Sequence, residues 1–294
     1  MQLRIMVSRH AAFYSPLIST IAGGFLKDQG IDSTYSVLAP GQRSHALIRD
    51  GAADIIQSAV SSNWKPIEKG ESPLAVHFAQ INMRDGFFLA ARSSDASFAW
   101  TDLEGRTLIA DHGGQPLAML RYAAKCQDVD WNRIQVIDAG SPEKMIAAFH
   151  GGAGDYVHLQ GPGPQQLEDD NFGHVVAAVG KAMPPVAFSS VCASREFLTT
   201  DACRAFLRAF AKAKQWVREA AAEEVAATQA PYFPDVRNAA LTAAIRSYQK
   251  LGCWEGGIEI PRDLYEQALN VFDSVGEVAS RHRYDDVCAF PQTE

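Results

Sequence analysis

The sequence has no pair of cysteines at C-x-x-C spacing, and its five thiols (Cys126, Cys192, Cys203, Cys253 and Cys288) are an odd number. A zinc ribbon is excluded, and five free thiols in a reducing compartment are expected rather than a disulfide framework. No run of 18 apolar residues occurs, so no segment is expected to enter a membrane. Basic residues are neither numerous nor clustered. The 27 Lys and Arg stand against 34 Asp and Glu, for a formal net charge of −7. That balance argues against nucleic acid or an anionic membrane surface as partner. No helix-turn-helix precedes the first strand, which sets aside a DNA-reading regulator. There is no Gly-Lys-Ser/Thr phosphate loop and no HxH or HExxH spacing, so neither a cofactor nor a metal is expected. No basic stretch followed by an apolar run opens the chain, where Gln2-Leu3-Arg4-Ile5-Met6-Val7 already reads as a strand. Localisation is left with two cases: periplasmic if a leader has been removed, cytoplasmic if the sequence is native as written.

What is present is a chain of 294 residues, 47% hydrophobic and 21% charged, enough for one large domain or two modest ones. Strand and helix patterns alternate. Strands are expected at residues 3–8, 33–38, 53–57, 72–79, 87–92, 135–138, 155–159, 175–179 and 186–193. Helices are expected at 16–28, 43–50, 117–126 and 142–150. The C-terminal third is helical: a long amphipathic helix over 201–228, with Phe206, Phe210, Ala213 and Val217 on one stripe, then helices at 235–251 and 261–274. The alternation predicts an α/β architecture with mostly parallel sheets.

Several motifs carry a resemblance. Gly24-Phe25-Leu26-Lys27-Asp28-Gln29-Gly30-Ile31 is followed by Ala46-Leu47-Ile48-Arg49-Asp50-Gly51-Ala52-Ala53-Asp54-Ile55. Then come Asp102-Leu103-Glu104-Gly105-Arg106, Met145-Ile146-Ala147-Ala148-Phe149 with Gly154-Asp155-Tyr156, the helix from Phe206 to Trp216, and Tyr232-Phe233-Pro234. In this order they resemble the type II solute-binding proteins of ABC importers, in the group that binds thiamine-pyrimidine precursors, sulfonates, nitrate and taurine. The resemblance covers about residues 3–278. It implies a two-lobed fold with two crossover strands, lobe one being residues 1–90 and 187–294 and lobe two residues 91–186. Ligand would sit between the lobes, outside the carboxyl ends of the strands, where helix N-termini and loop amides converge.

Candidate ligand contacts follow from that placement. His10, Phe13 and Tyr14 come directly after the first strand, where a ring could stack and an imidazole hydrogen-bond. Gly41 and Arg43 open the second helix, with free backbone N–H groups and a guanidinium suited to an anion. Ser61 and Ser62 follow a buried strand and offer hydroxyls. Gly113, Gly114 and Gln115 start a helix, the glycines permitting close backbone approach. Tyr156 and His158 follow a glycine-rich turn, with Asp155 beside them as a structural tie, and Ser189 lies in the second crossover. Each also has a plain structural reading as a cap, a turn or a packed side chain.

Two functions stay open. One is a binding protein that captures a small polar ligand, aromatic or anionic features being the ones these loops suit, and presents it to the membrane subunits of an importer. The other is a cytoplasmic enzyme on the same fold, similar to a thiamine-pyrimidine synthase, a desulfinase or a chorismate-pathway enzyme, with His10, His112 and His158 as its candidate acid–base groups. The cysteine-rich run of the pyrimidine-making enzymes is missing here, which favours the binder.

Overall fold

The computed structural model describes residues 1–39, 41–72, 74–94, 97–111 and 114–291. Alternation builds its first strand. In β1 (Gln2–Val7), Leu3, Ile5 and Val7 are buried while Gln2 and Arg4 face out, the two-residue period of a half-buried strand. It lies between β2 (Asp32–Val37) and β3 (Ile55–Ser58), parallel to both. β4 (Ala75–Asn82) is buried along its whole length.

After β4 the chain crosses to a second sheet made of β5 (Phe87–Ala91), β6 (Thr107–Ile109), β7 (Gln135–Ile137), β8 (Tyr156–Gln160) and β9 (His174–Ala178). It then returns, and β10 (Ser189–Ser194) inserts between β3 and β4. The orders are β2-β1-β3-β10-β4 and β7-β6-β8-β5-β9. In each sheet the strand arriving from the other sheet is the antiparallel one: β5 against β8 and β9, β10 against β3 and β4. The rest run parallel, so the molecule is a two-lobed α/β fold.

In the first sheet α1 (Ser15–Ala22), α2 (Ser44–Arg49) and α3 (Trp64–Glu68) follow β1, β2 and β3. In the second, α4 (Gly114–Cys126), α5 (Pro142–His150) and α6 (Gly163–Asp169) follow β6, β7 and β8. The short α7 (Val179–Ala182) lies on the return path. The C-terminal third holds α8 (Asp201–Glu219), α9 (Ala222–Gln229), α10 (Asn238–Leu251), α11 (Arg262–Ser274) and α12 (Tyr284–Val287). The expected stripe of α8 is buried, including Phe206, Phe210, Ala213 and Val217.

Two expected helices are shorter than their patterns. The first stops at Ala22, because Gly23 and Gly24 turn the chain and Gly24 has φ +79°. The long helix breaks at Ala220, whose ψ of 156° is extended. Alanines on both sides hide that break from propensity. What stabilises it comes from elsewhere in the chain: Gln249 Nε2 donates to the carbonyls of Val217 and Ala220 at 2.8 and 2.9 Å.

The two chain crossings touch. A Cβ on Gly180 would lie 2.3 Å from the Asp85 carbonyl oxygen, and Arg84 Nη1 donates to Gly180 O at 3.1 Å. All five cysteines are free; Cys126 is exposed and the others are buried. Among the described residues no helix is long and apolar enough to cross a membrane.

Candidate functional site

The loop after β1 is built around Gln57 of β3. Its Oε1 accepts from the backbone N–H of Ser8 at 3.1 Å and that of Arg9 at 3.4 Å, and its Nε2 donates to Ser189 Oγ at 2.9 Å. This fixes the direction in which Arg9 and His10 leave the strand. His10 Nε2 lies 2.8 Å from the carbonyl oxygen of Tyr232. A carbonyl only accepts, so Nε2 carries the hydrogen and Nδ1 accepts from the Tyr35 hydroxyl at 2.7 Å. The ring also stacks on Phe233 at 4.4 Å. Burial lowers its pKa, against the pull of the Tyr232 carbonyl. Both ring nitrogens are thus engaged where His10 forms part of the wall.

Arg9 reaches across to the second lobe. Its Nη1 lies 2.7 Å from Asp111 Oδ2, just after β6, and its guanidinium stands 5.5 Å from the Phe87 ring centre. Burial opposes its charge, but Asp111 more than offsets this and its pKa is raised. His158 also stacks on Phe87, at 4.3 Å. His158 is wholly buried, and neither ring nitrogen has a hydrogen-bond partner among the described residues. Burial, helped by Arg9, pushes its pKa down to about 3. It is a neutral imidazole at any physiological pH.

Further bonds tie the lobes together around these groups. Ala12 N–H donates to Gly161 O at 3.1 Å. Gln160 Nε2 donates to the Tyr14 hydroxyl at 3.2 Å. Tyr248 Oη accepts from Gly161 N–H at 2.7 Å and donates to Gly86 O at 3.0 Å. Ser61 Oγ donates to Gln115 Oε1 at 2.9 Å, and Gln115 Nε2 donates to Phe188 O. Arg237 forks onto Asp169 and Asp170 at the end of α6.

Between the lobes lies a partly open cavity of about 430 Å³. Residues 9–11 line it from the first lobe and residues 232–236 from the C-terminal third. Pro142, Glu143, Ile146 and His150 of α5 face them, with residues 159–163, Gln166, Leu167 and Asp170. The volume suits a small molecule. Glu143 sits in the first turn of α5, where its carboxylate is held below its ordinary pKa by the Ser141 hydroxyl and by Arg9. Gln160 is nine-tenths buried on this wall and its Oε1 has no donor among the described residues. The lining pairs apolar faces of Ile146, Leu159, Phe233 and Val236 with a few polar atoms, an arrangement for holding and orienting a ligand. Among the described residues no group of three or more His, Cys, Asp or Glu side chains is placed to hold a metal ion.

The other expected contacts fall in varied places. Phe13 is wholly buried among Tyr14, Phe188 and Tyr248, a core residue under the loop. Tyr14 is buried beside it and meets the second lobe through its hydroxyl. Gly41 (φ +83°) and Arg43 lie on the exposed surface before α2 and do not line the cavity. Ser62 Oγ is 3.3 Å from His77 Nε2, and Ser189 Oγ donates to Ser58 O at 3.0 Å, fastening β10 to β3. Gly114 begins α4 with φ +60°. His112 and Gly113 lie outside the described residues. Tyr156 is at the start of β8, its ring 5.8 Å from Phe98; Asp155 next to it accepts from the Thr107 N–H at 2.8 Å. Reading by sequence passed over Glu143, Gln160 and residues 232–236 as contacts. The Gly161-Pro162-Gly163-Pro164 run directly after an apolar strand was the available signal for the second of these.

The two crossings, the strand orders and the cavity between the sheets define the class: a two-lobed binding-protein fold of the type II periplasmic kind. The chain belongs to the NMT1/THI5-like family, whose model matches residues 12–224. A relative in Bacillus subtilis (strain 168), named "Putative binding protein YtlA", is 25% identical over 293 residues, covering 97% of this chain and 87% of the relative. The periplasmic aliphatic sulphonate binding protein SsuA of Escherichia coli is similar in structure, with a TM-score of 0.74 at 14% identity, over 100% of this chain and 93% of that one. The ligand binding component of an ABC-type import system from Staphylococcus aureus, solved with zinc bound, gives a TM-score of 0.75 at 13% identity, over 99% and 97%.

Proposed function

We propose that this protein captures a small polar molecule in the inter-lobe cavity and presents it to the membrane subunits of an ABC-type importer. The observation that carries this reading is the cavity itself: both lobes contribute its walls, and bonds such as Arg9–Asp111 and Ser61–Gln115 link loops on either side of it. The family, the YtlA relative and the import-system neighbours support it. The two bodies that close on the ligand divide near the expected limits, residues 1–90 with 187–294 and residues 91–186, except that β5 (Phe87–Ala91) goes with the second because it lies in that sheet; the single passage each way between the sheets supports this division. His10, Gln160, Glu143 and Arg9 meet the ligand, while Tyr14, Ser61, Gln115 and Ser189 hold the loops. An acid–base role for the histidines has less support, since both nitrogens of His10 are engaged and His158 is sealed and without an orienting carboxylate at hydrogen-bond distance.

Calorimetry against a panel of small sulfonates, carboxylates and aminopyrimidines tests the reading. Saturable binding at one molecule per chain is expected, lost when Ile146→Trp fills the cavity. Equal binding by that variant, or no binding by any member of the panel, would contradict it.

A further inference from the structure

We propose that Asp111 sets the charge preference of the cavity by competing with the ligand for Arg9, an inference that rests on the inter-lobe cavity being the ligand site. Arg9 lines the cavity; Asp111 does not. The carboxylate meets the guanidinium from outside that lining, with Oδ2 at 2.7 Å from Nη1, and Asp111 is 6% exposed. A guanidinium has five N–H donors. Asp111 takes one edge and leaves the others for a group in the cavity.

At that separation the carboxylate offsets much of the field that Arg9, its side chain 28% exposed, would present to an incoming anion. Glu143 adds a second carboxylate on the cavity wall near the same cation. Among the described residues that line the cavity Arg9 is the one Lys or Arg side chain, and both ring nitrogens of His10 are already engaged. Anion affinity is therefore controlled by how completely Arg9 is neutralised, and Asp111 is the group that neutralises it. Specificity of this kind is a difference between two affinities, adjusted by a built-in opposing charge.

The experiment compares benzenesulfonate with benzenesulfonamide, which match in shape and differ in charge, by calorimetry on wild type and on Asp111→Asn. The asparagine keeps an oxygen that accepts from Arg9. Asp111→Ser removes the same charge with a smaller side chain and serves where the first variant does not fold. The ratio of the two Kd values is expected to shift toward the sulfonate by about tenfold or more in either variant, and the shift should vanish when Arg9→Gln is added. An unchanged ratio, a parallel change for both probes, or binding of neither probe by any form would overturn the proposal. If the sulfonamide still binds one to one while the ratio is unmoved, the charge role of Asp111 fails and the binding function stands. If nothing in the wider panel binds either, both fail.

Discussion

Asp85 occupies the crossing from β4 to β5 and is wholly buried. Its Oδ1 accepts from the Phe87 N–H at 2.6 Å, while Oδ2 has no partner among the described residues. Burial raises its pKa from 3.8 to about 7, with the Phe87 N–H pulling the other way. Between those two values the folded chain holds a proton that the unfolded chain releases. Stability from this group is thus fully present at low pH and is lost as pH rises through about 7. His77 and His158 act in the opposite sense. Burial drives each to about 3 from 6.5, so their contribution is present above 6.5 and lost as pH falls toward 3. Asp85→Asn keeps the acceptor for Phe87 and removes the titration. Its melting temperature should gain on wild type as the buffer goes from about pH 5 to about pH 8; a difference that does not change with pH would contradict this account of Asp85. At the same scale, the unpaired nitrogens of His158 gave no signal in the sequence. A histidine in an apolar strand reads the same whether it is sealed under Phe87 or open to a cleft, and only the pairing of β5 with β8 decides it.

The crossings act as one element because small residues let them meet. Gly180 has no room for a methyl group against the Asp85 carbonyl, so Gly180→Ala must push the two passages apart. A loss of about 1–3 kcal/mol is expected from such overpacking, read as a lower urea midpoint with an unchanged slope; an unchanged midpoint would show that the crossings yield freely. Gly86 plays the same part under the Phe13 ring, which a Cβ would approach to 2.2 Å. Elements governed by short-range pattern were legible in the sequence: the alternation of β1, the buried stripe of α8 and the start of α5 at Ser141-Pro142. Elements fixed by distant partners were not. The end of α8 at Ala220 depends on Gln249, and the second half of the cavity depends on residues 232–236 returning to His10. The loop after β1 was legible as a candidate contact because it ends a strand at the sheet's carboxyl edge. Gly41 and Arg43 shared that signature, yet they stand away from the cavity, since α2 packs its buried Ile48 with Ile56 and Ala75 while its start stays exposed.

For the whole molecule, each lobe completes its sheet with a strand delivered by a crossing, and one large buried cluster runs through both, joining Leu3, Ile5 and Phe206 of the first to Leu108, Met119 and Ala123 of the second, with a smaller cluster in each lobe beside it. Met145, Phe149, Val157, Leu159 and Leu167 form a cluster belonging to the second lobe alone, while Ile48, Ala53, Ile56, Ala75 and Cys192 form one in the first. Between them run polar contacts such as Arg9–Asp111, Ser61–Gln115, Tyr14–Gln160 and Arg237 on Asp169 and Asp170, beside aromatic ones such as Phe88–Tyr248 and Phe87–Phe188. The central claim is that the cavity between the lobes holds a small molecule and releases it unchanged. Native mass spectrometry of the protein after incubation with a small-molecule extract of its own host tests this most directly. The account predicts a single adduct per chain, absent from Ile146→Trp, whose mass after denaturation equals that of a compound in the starting extract. An adduct that survives in Ile146→Trp, or a released compound that the extract did not contain, would contradict it.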